Sequence, residues 1–466
     1  LEALGHVIRK HEAWWQALLT PVAGLLLSVA LMIYLFRDAD TEGVPDVLYS
    51  VGMKGGRLPF RSSLSKLVGN LITISGGGSA GPEGPVIMSG AALGSNVATF
   101  LQSTNRTRIA AAGSGAAGAI AAIFNAPIAG IIFTMEVILG EWSSLNLLPV
   151  SIASVTATVV SRILKGNQIP FRHRQIQVGL GEILAVVGLA VMVTLVSILF
   201  IKGLRLAHKH LEHHFPKPLL RAAIGGLLLG ALALLFPQIR GEGYDVIRGL
   251  LDGTPPLVFG GVAVLLVMKI LATSLTLGAG GTGGVFAPSL VIGALLGYGY
   301  HQLLMVVFPH SAHMFPAPTL FVLSSMAGLI AGTLQSPLSG IFLIVEITGG
   351  YDVILPLLLV AFLTSNMVRL VEKHSIYLSD LVAKGYLVRP RTDAGVLSDI
   401  PVGEMLETDL QAVPSNMRLR ELLPIVLRSN RNYYPVIDPE DGHFLGLVQF
   451  NGVKEYLFEP LMLDSV

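Results

Sequence analysis

The fold class that the sequence predicts is an all-α polytopic membrane protein with a small α/β domain at its C-terminal end. Composition is the first observation: 52% of the 466 residues are apolar and 13% charged, about half the charge of an ordinary soluble chain. The second is that uncharged runs long enough for about 30 Å of hydrocarbon recur through the first 388 residues. The third is where charge returns. Residues 389–466 carry 19 charged side chains in 78 positions, about 24%, against about 11% before them. The division is therefore a membrane body, 1–388, in two halves of about 1–210 and 215–388, and a soluble segment, 389–466.

Several function classes fall away at once. The net charge is +1 with no long basic run, so electrostatic binding of nucleic acid is unsupported. No cysteine is present, which removes disulfides, thiolate nucleophiles and Cys-based metal sites. No basic leader with a cleavage site precedes the first span, so no cleaved signal peptide is expected. An opening Leu1 and the lack of a closing element at Val466 read as a trimmed chain.

Taken in order, Gln16 to Phe36, Ile183 to Ile201 and Ala222 to Phe236 read as single helices of ordinary or short length. Ile109 to Met135 and Thr319 to Val345 are 27 residues each and Ile270 to Tyr300 is 31, all interrupted by Gly, Ser, Thr or Pro. These read as pairs of short or re-entrant helices. Non-helical backbone at membrane depth survives only where protein or a watery cavity satisfies its polar groups. The 52 glycines, about 11% against a usual 7%, are accordingly read as the mark of a polar conduit. The alternative is close helix packing through Gly-x-x-x-Gly seams.

An internal repeat runs through the body. Gly81-Pro-Glu-Gly-Pro85, followed by Gly90, Ala91 and Gly94, matches Gly284-Val-Phe-Ala-Pro288, followed by Gly293, Ala294 and Gly297, at an offset of 203. Asn125-Ala-Pro127-Ile-Ala-Gly130 with Glu136 matches Gln335-Ser-Pro337-Leu-Ser-Gly340 with Glu346, at an offset of 210. Two similar halves broken in corresponding places point to a transporter whose binding site lies where the halves meet.

Three of the breaks, Gly81 to Pro85, Phe124 to Pro127 and Gly281 to Pro288, are Gly- or Pro-marked helix starts. A helix start exposes backbone N–H groups and the positive end of the dipole, which suits an anion. None is followed by Gly-Lys-Ser or Gly-Lys-Thr, so none is a phosphate-cradling loop. Three carboxylates lie in or beside these runs, and an acid at membrane depth is a functional hypothesis by default. Glu83 is the sharpest, since a carboxylate at an anion-attracting helix start can occupy the anion's own place and leave when protonated. Glu136 and Glu346 read as structural, each capping or pairing at a helix end. His210 and His214, spaced i, i+4 in the basic stretch Lys202 to Lys217, lack a carboxylate set for a metal, and the stretch reads as a solvated interfacial loop.

Gly81-Pro82-Glu83-Gly84-Pro85, Phe124-Asn125-Ala126-Pro127, Gly284-Val285-Phe286-Ala287-Pro288 and Ser375-Ile376-Tyr377 together resemble the CLC family of chloride channels and chloride/proton antiporters, over about residues 16–385. The resemblance implies an inverted-repeat bundle of broken and re-entrant helices in a lipid bilayer. It implies a homodimer with one pore per subunit, placed in a bacterial plasma membrane with the C-terminal domain in the cytosol, and no enzymatic activity. By the same resemblance Glu83 is the gate, the residues facing the anion are Gly81, Gly84, Val285, Phe286 and Tyr377, with the amides of Val285 and Phe286 and the hydroxyl of Tyr377 on the central anion, and chloride or another small anion is the cargo.

Three departures from the family pattern bear on function. Thr41-Glu42-Gly43-Val44-Pro45 stands where the family usually has Gly-Ser-Gly-Ile-Pro, so Glu42 either puts a second carboxylate beside the selectivity region or belongs to a shifted loop facing water. Val137 follows Glu136 where the family's antiporters carry an inner proton-accepting glutamate. Pro82 replaces a usual Lys or Arg. The expected function is therefore channel-like anion conduction gated by Glu83, the alternative a proton-coupled antiporter with an unusual inner proton route.

Val402-Gly-Glu-Met405, Leu410 to Val413, a helix at Leu419 to Arg428, Tyr434 to Ile437 and Gly446 to Val448 resemble one CBS module. Such modules usually act in pairs that bind adenine nucleotides. A single copy leaves nucleotide binding open beside a structural, dimer-forming role, and no other cofactor or metal is expected. A CBS-regulated cation transporter would need acidic clusters along a pore. An intramembrane enzyme would need a nucleophile with its base or a His-Glu-x-x-His metal set. The sequence holds neither.

Overall fold

The computed structural model describes residues 14–37, 43–167, 169–171, 176, 178–253, 259–309, 317–386, 410–429 and 431–453. The chain divides into two compact units, Leu1–Thr392 and Asp393–Val466.

The first half of the first unit runs through α1 (Trp14–Ala30, continued by a π turn at Leu31–Leu35), α2 (Val44–Met53), α3 (Phe60–Ser75), α4 (Glu83–Phe100), α5 (Asn105–Phe124), α6 (Pro127–Phe133, continued by a π turn at Thr134–Ile138) and α7 (Ser144–Lys165). The second runs through α8 (Leu180–His214), α9 (Pro218–Leu235), α10 (Tyr244–Asp252), α11 (Phe259–Gly278), α12 (Phe286–Val307), α13 (Thr319–Leu334), α14 (Pro337–Thr348), α15 (Ile354–Val371) and α16 (Ile376–Ala383). Among the described residues eight helical stretches are long and apolar enough to cross a membrane, and three shorter apolar ones accompany them.

The long interrupted runs are broken pairs. α5 gives way to α6 at Asn125, and α13 to α14 at Gln335; both residues take the left-handed conformation, with φ of 57° and 55°. Pro127 and Pro337 then open the next helices, where a missing N–H costs nothing. The expectation for Ile183 to Ile201 falls short. That helix extends from Leu180 to His214, 35 residues, roughly 50 Å at the α-helical rise. The basic stretch from Lys202 is therefore helix as far as His214, not loop. Lys, Arg, Glu and Leu are good helix formers, and a helix longer than the hydrocarbon is thick projects its polar end out of it.

Part of the glycine excess has a packing cause, which corrects its reading as a conduit alone. A side chain at Gly90 or Gly94 of α4 would collide with the carbonyls of Gly115 or Ala111 on α5. At the same offset, Gly293 and Gly297 of α12 lie on the backbone of Ser325–Met326 and Phe321 in α13. Small residues four apart let two helices approach at backbone distance, the close packing typical of membrane bundles.

The halves meet through equivalent residues. Gly81 and Gly284 form an isolated antiparallel bridge. Thr73 accepts from the amide of Thr282, while Thr276, its equivalent 203 residues on, accepts from the amide of Ser79. Lys66 and Lys269, again 203 apart, are both buried. A pattern in which i meets j and the equivalent of j meets the equivalent of i is the signature of a two-fold relation. Asn70 adds a direct stitch, its amide donating to the carbonyls of Gly81 and Thr282.

In the second unit β1 (Val413–Pro414) pairs in parallel with β2 (Tyr433–Ile437), which pairs antiparallel with β3 (Phe444–Gln449). Between the first two strands α17 (Leu419–Arg428) packs Leu419, Leu422 and Val426, one helix face, on Val413 and Tyr434. A short helix, α18 (Phe450–Val453), follows. Val402 to Met405 lies outside the described residues.

Candidate functional site

Four helix N-termini converge on one cavity of about 480 Å3. Val44 and Pro45 open α2, Gly84 lies in the first turn of α4, Gly284 and Val285 precede α12, and Tyr377 is the second residue of α16; all six line the cavity. Each start turns unsatisfied N–H groups and a partial positive charge toward its end. An anion is the ligand that such a cavity suits.

Gly43 takes φ 70° as the N-cap of α2, a conformation that lets the turn pass close to the backbone of Gly84. Glu42 lies outside the described residues. Pro82 is the N-cap of α4.

Glu83 opens α4 immediately before the cavity-lining Gly84 and is 1% exposed. Its Oε1 accepts a hydrogen bond of 2.6 Å from the Tyr244 hydroxyl, and the backbone amides of Glu83 itself and of Ala287 also face the carboxylate. Burying a carboxylate is costly even where donors meet it, so this side chain has a standing reason to move. Its Oε2 lies over Gly81, where any side chain would collide with it.

One of the expected anion contacts needs correction. The Gly81 amide is already donated to the Gly284 carbonyl at 2.8 Å, so it is not free for an anion. Phe286 is 3% exposed and its ring packs against Phe124 and Phe133, with centroids 5.5 and 6.0 Å away, an arrangement compatible with the expected contact through its backbone amide.

The start at Phe124 to Pro127 is also not an open anion site. The Glu346 carboxylate accepts from the amides of Ile128 and Ala129 at 3.0 and 2.7 Å. Reciprocally, Glu136 accepts from the amides of Leu338 and Ser339 and from the Ser339 hydroxyl. Each acid is the internal anion of the other half's helix start. Val137, on the π turn with Glu136, is half-buried and packs against the apolar core.

Polar residues that sequence reasoning missed line the same cavity: Arg205, His208 and Glu212 from α8, Arg221 from α9, and Asp380 and Lys384. Arg205, His208 and Glu212 share one helix face. Arg205 pairs with Glu372 at 3.0 Å, and Glu212 lies 3.5 Å from His208 and 3.7 Å from Arg221. Only the spacing 205, 208, 212 could have exposed them, and reading the stretch as loop hid it. The rings of His210 and His214 stack at 4.1 Å, and among the described residues no group of three or more His, Asp or Glu is placed to hold a metal.

A family model described as voltage gated chloride channel matches residues 24–369. A ClcB-like protein of Ralstonia nicotianae is 33% identical over 352 residues, 74% of this chain and 81% of its own length. The voltage-gated ClC-type chloride channel ClcB of Escherichia coli is 28% identical over 366 residues, 78% of this chain and 86% of its own. Among solved structures, that of a slow cyanobacterial Cl−/H+ antiporter superposes with a TM-score of 0.73 over 82% of this chain and 90% of that one; at 24% identity the likeness is one of fold.

Proposed function

Because this chain belongs to the voltage-gated chloride channel, or CLC, family, and its spans make it an integral membrane protein, we propose that it conducts chloride through the cavity between the helix starts, with Glu83 as the gate. The observation that carries this reading is the convergence of Gly84, Val285 and Tyr377 on one cavity beside the buried Glu83 carboxylate. The helix starts offer chloride partial charges, and the arginines lining the cavity, Arg205 and Arg221, are paired with Glu372 and Glu212, so the anion is held weakly enough to be released. Channel-like conduction is the first reading, because Val137 offers no proton acceptor at the inner position.

One observation favours a second reading. Glu212 and Asp380 line the cavity, and a carboxylate there could accept protons from the inner solution, which would make the protein a chloride/proton antiporter. Chloride efflux from proteoliposomes with valinomycin, recorded together with external pH, separates the two. Chloride loss without uphill proton movement supports the channel; protons driven uphill in fixed ratio to chloride replace it with the antiporter. No chloride efflux at all would sink both.

The same reading makes the protein a homodimer of two separate paths, with inverted halves, in a bacterial plasma membrane. It places the second unit in the cytosol as a CBS-like regulatory module. The order β1, α17, β2, β3 supports that last assignment. Titration of the whole protein with ATP tests it, and absence of binding would leave the unit a structural role.

A further inference from the structure

We propose that Tyr244 is the latch of the Glu83 gate, and that Lys269 holds the loop that presents it. The proposal rests on the reading of Glu83 as gate and adds to it a residue that decides how firmly the gate stays shut. Among the described residues the Tyr244 hydroxyl is the side-chain donor on the Glu83 carboxylate, at 2.6 Å across 161 residues of sequence, beside the backbone amides of Glu83 and Ala287. A hydroxyl donating to an ionised carboxylate makes a short, strong bond, about twice as strong as its neutral counterpart. When the carboxyl is protonated the bond loses that charge assistance. The latch therefore loosens in the protonation state in which the gate can leave the anion's path.

The ring is held from two sides. Phe171 meets it edge-on at a centroid distance of 5.6 Å. Gly243, at φ 86°, turns the chain directly into α10 at Tyr244. A side chain at Gly243 would crowd Lys269 Nζ at 3.2 Å and Val291 at 2.9 Å. Lys269, 1% exposed on α11, donates to the carbonyls of Ile239 and Gly241, both at 2.9 Å. A buried amine bonded to two carbonyls within five residues of the tyrosine ties the loop to α11. The charged and titratable groups around the gate are thus Tyr244 from α10 and Tyr377 from α16, with Lys269 of α11 behind Gly243 and Glu242 beside Lys269.

Tyr244→Phe removes the hydroxyl and leaves the ring against Phe171. Chloride efflux from proteoliposomes is measured for the wild type, Tyr244→Phe, Glu83→Ala and the double variant, from neutral to acid pH. The latch predicts that Tyr244→Phe raises neutral-pH flux up to roughly tenfold, the order set by one hydrogen bond to a charged group, and flattens the rise of flux on acidification. In the Glu83→Ala background the second substitution adds nothing, because its acceptor is gone. Lys269→Met is expected to shift the pH profile in the same direction. If that variant does not fold, Tyr244→Phe still decides. Unchanged or lowered flux in Tyr244→Phe, with Glu83→Ala opening the path, overturns the latch and leaves the gate standing. Wild-type flux and pH dependence in Glu83→Ala overturn the gate itself.

Discussion

Gly81 and Gly284 exchange both backbone hydrogen bonds, N–H to carbonyl at 2.8 Å in each direction, across 203 residues of sequence. Each stands two residues ahead of a helix facing the cavity, Gly81 before α4 and Gly284 before α12. The bridge therefore clamps two helix starts together with no side chain between them, and the space over Gly81 is left to the Glu83 carboxylate.

Gly81→Ala puts a methyl group where Glu83 Oε2 lies. The bridge uses backbone alone and survives, so the carboxylate must leave its place. The expected result is raised chloride efflux at neutral pH with a weakened response to acid. Wild-type efflux and pH response would show that the carboxylate position observed here does not block the path.

If Glu83 in its charged form closes the path, wild-type flux rises as pH falls, because protonation removes the charge that the surrounding dipoles attract. Glu83→Gln then conducts at neutral pH as the wild type does at acid pH, and acid adds little. A variant that keeps the full acid activation would place the sensor on another residue.

The two caps differ in size. Glu136 accepts from two amides and a hydroxyl, Glu346 from two amides. Removing either leaves helix-start donors without their acceptor, at about 1–3 kcal/mol for the cap as a whole. Glu136→Ala is expected to lower the melting temperature in detergent more than Glu346→Ala does, and both by more than the Gln variants. Equal and negligible losses would mean that water replaces the caps.

Tyr377 is 6% exposed and lines the cavity. Tyr377→Phe should weaken chloride binding, measured by calorimetry, by roughly three- to tenfold, the equivalent of one neutral hydrogen bond. Chloride affinity equal to wild type would remove its hydroxyl from the anion's surroundings.

Much of the body was legible in sequence because its signals are local. Asn125 and Gln335 each stand two residues before a proline, and that spacing is enough to end one helix and start another. The offset of 203 marks Gly81 and Gly284 as equivalent positions of the two halves, while their contact belongs to the fold. The charged tail of α8 was misread because polarity was taken for loop, although its residues are helix formers and its spacing helical. That one error hid Arg205, His208 and Glu212 from the list of cavity residues.

By itself the sequence determined the membrane body, its breaks, its repeat and the acids worth testing, since glycine, proline and hydropathy act over a few residues. Tertiary structure alone decided which donors those acids meet. Tyr244 reaches Glu83 from 161 residues away, and Glu136 and Glu346 close helix starts more than 200 residues distant. A hydrogen bond needs donor and acceptor within about 3 Å, and no spacing along the chain states which distant groups the fold will bring that close.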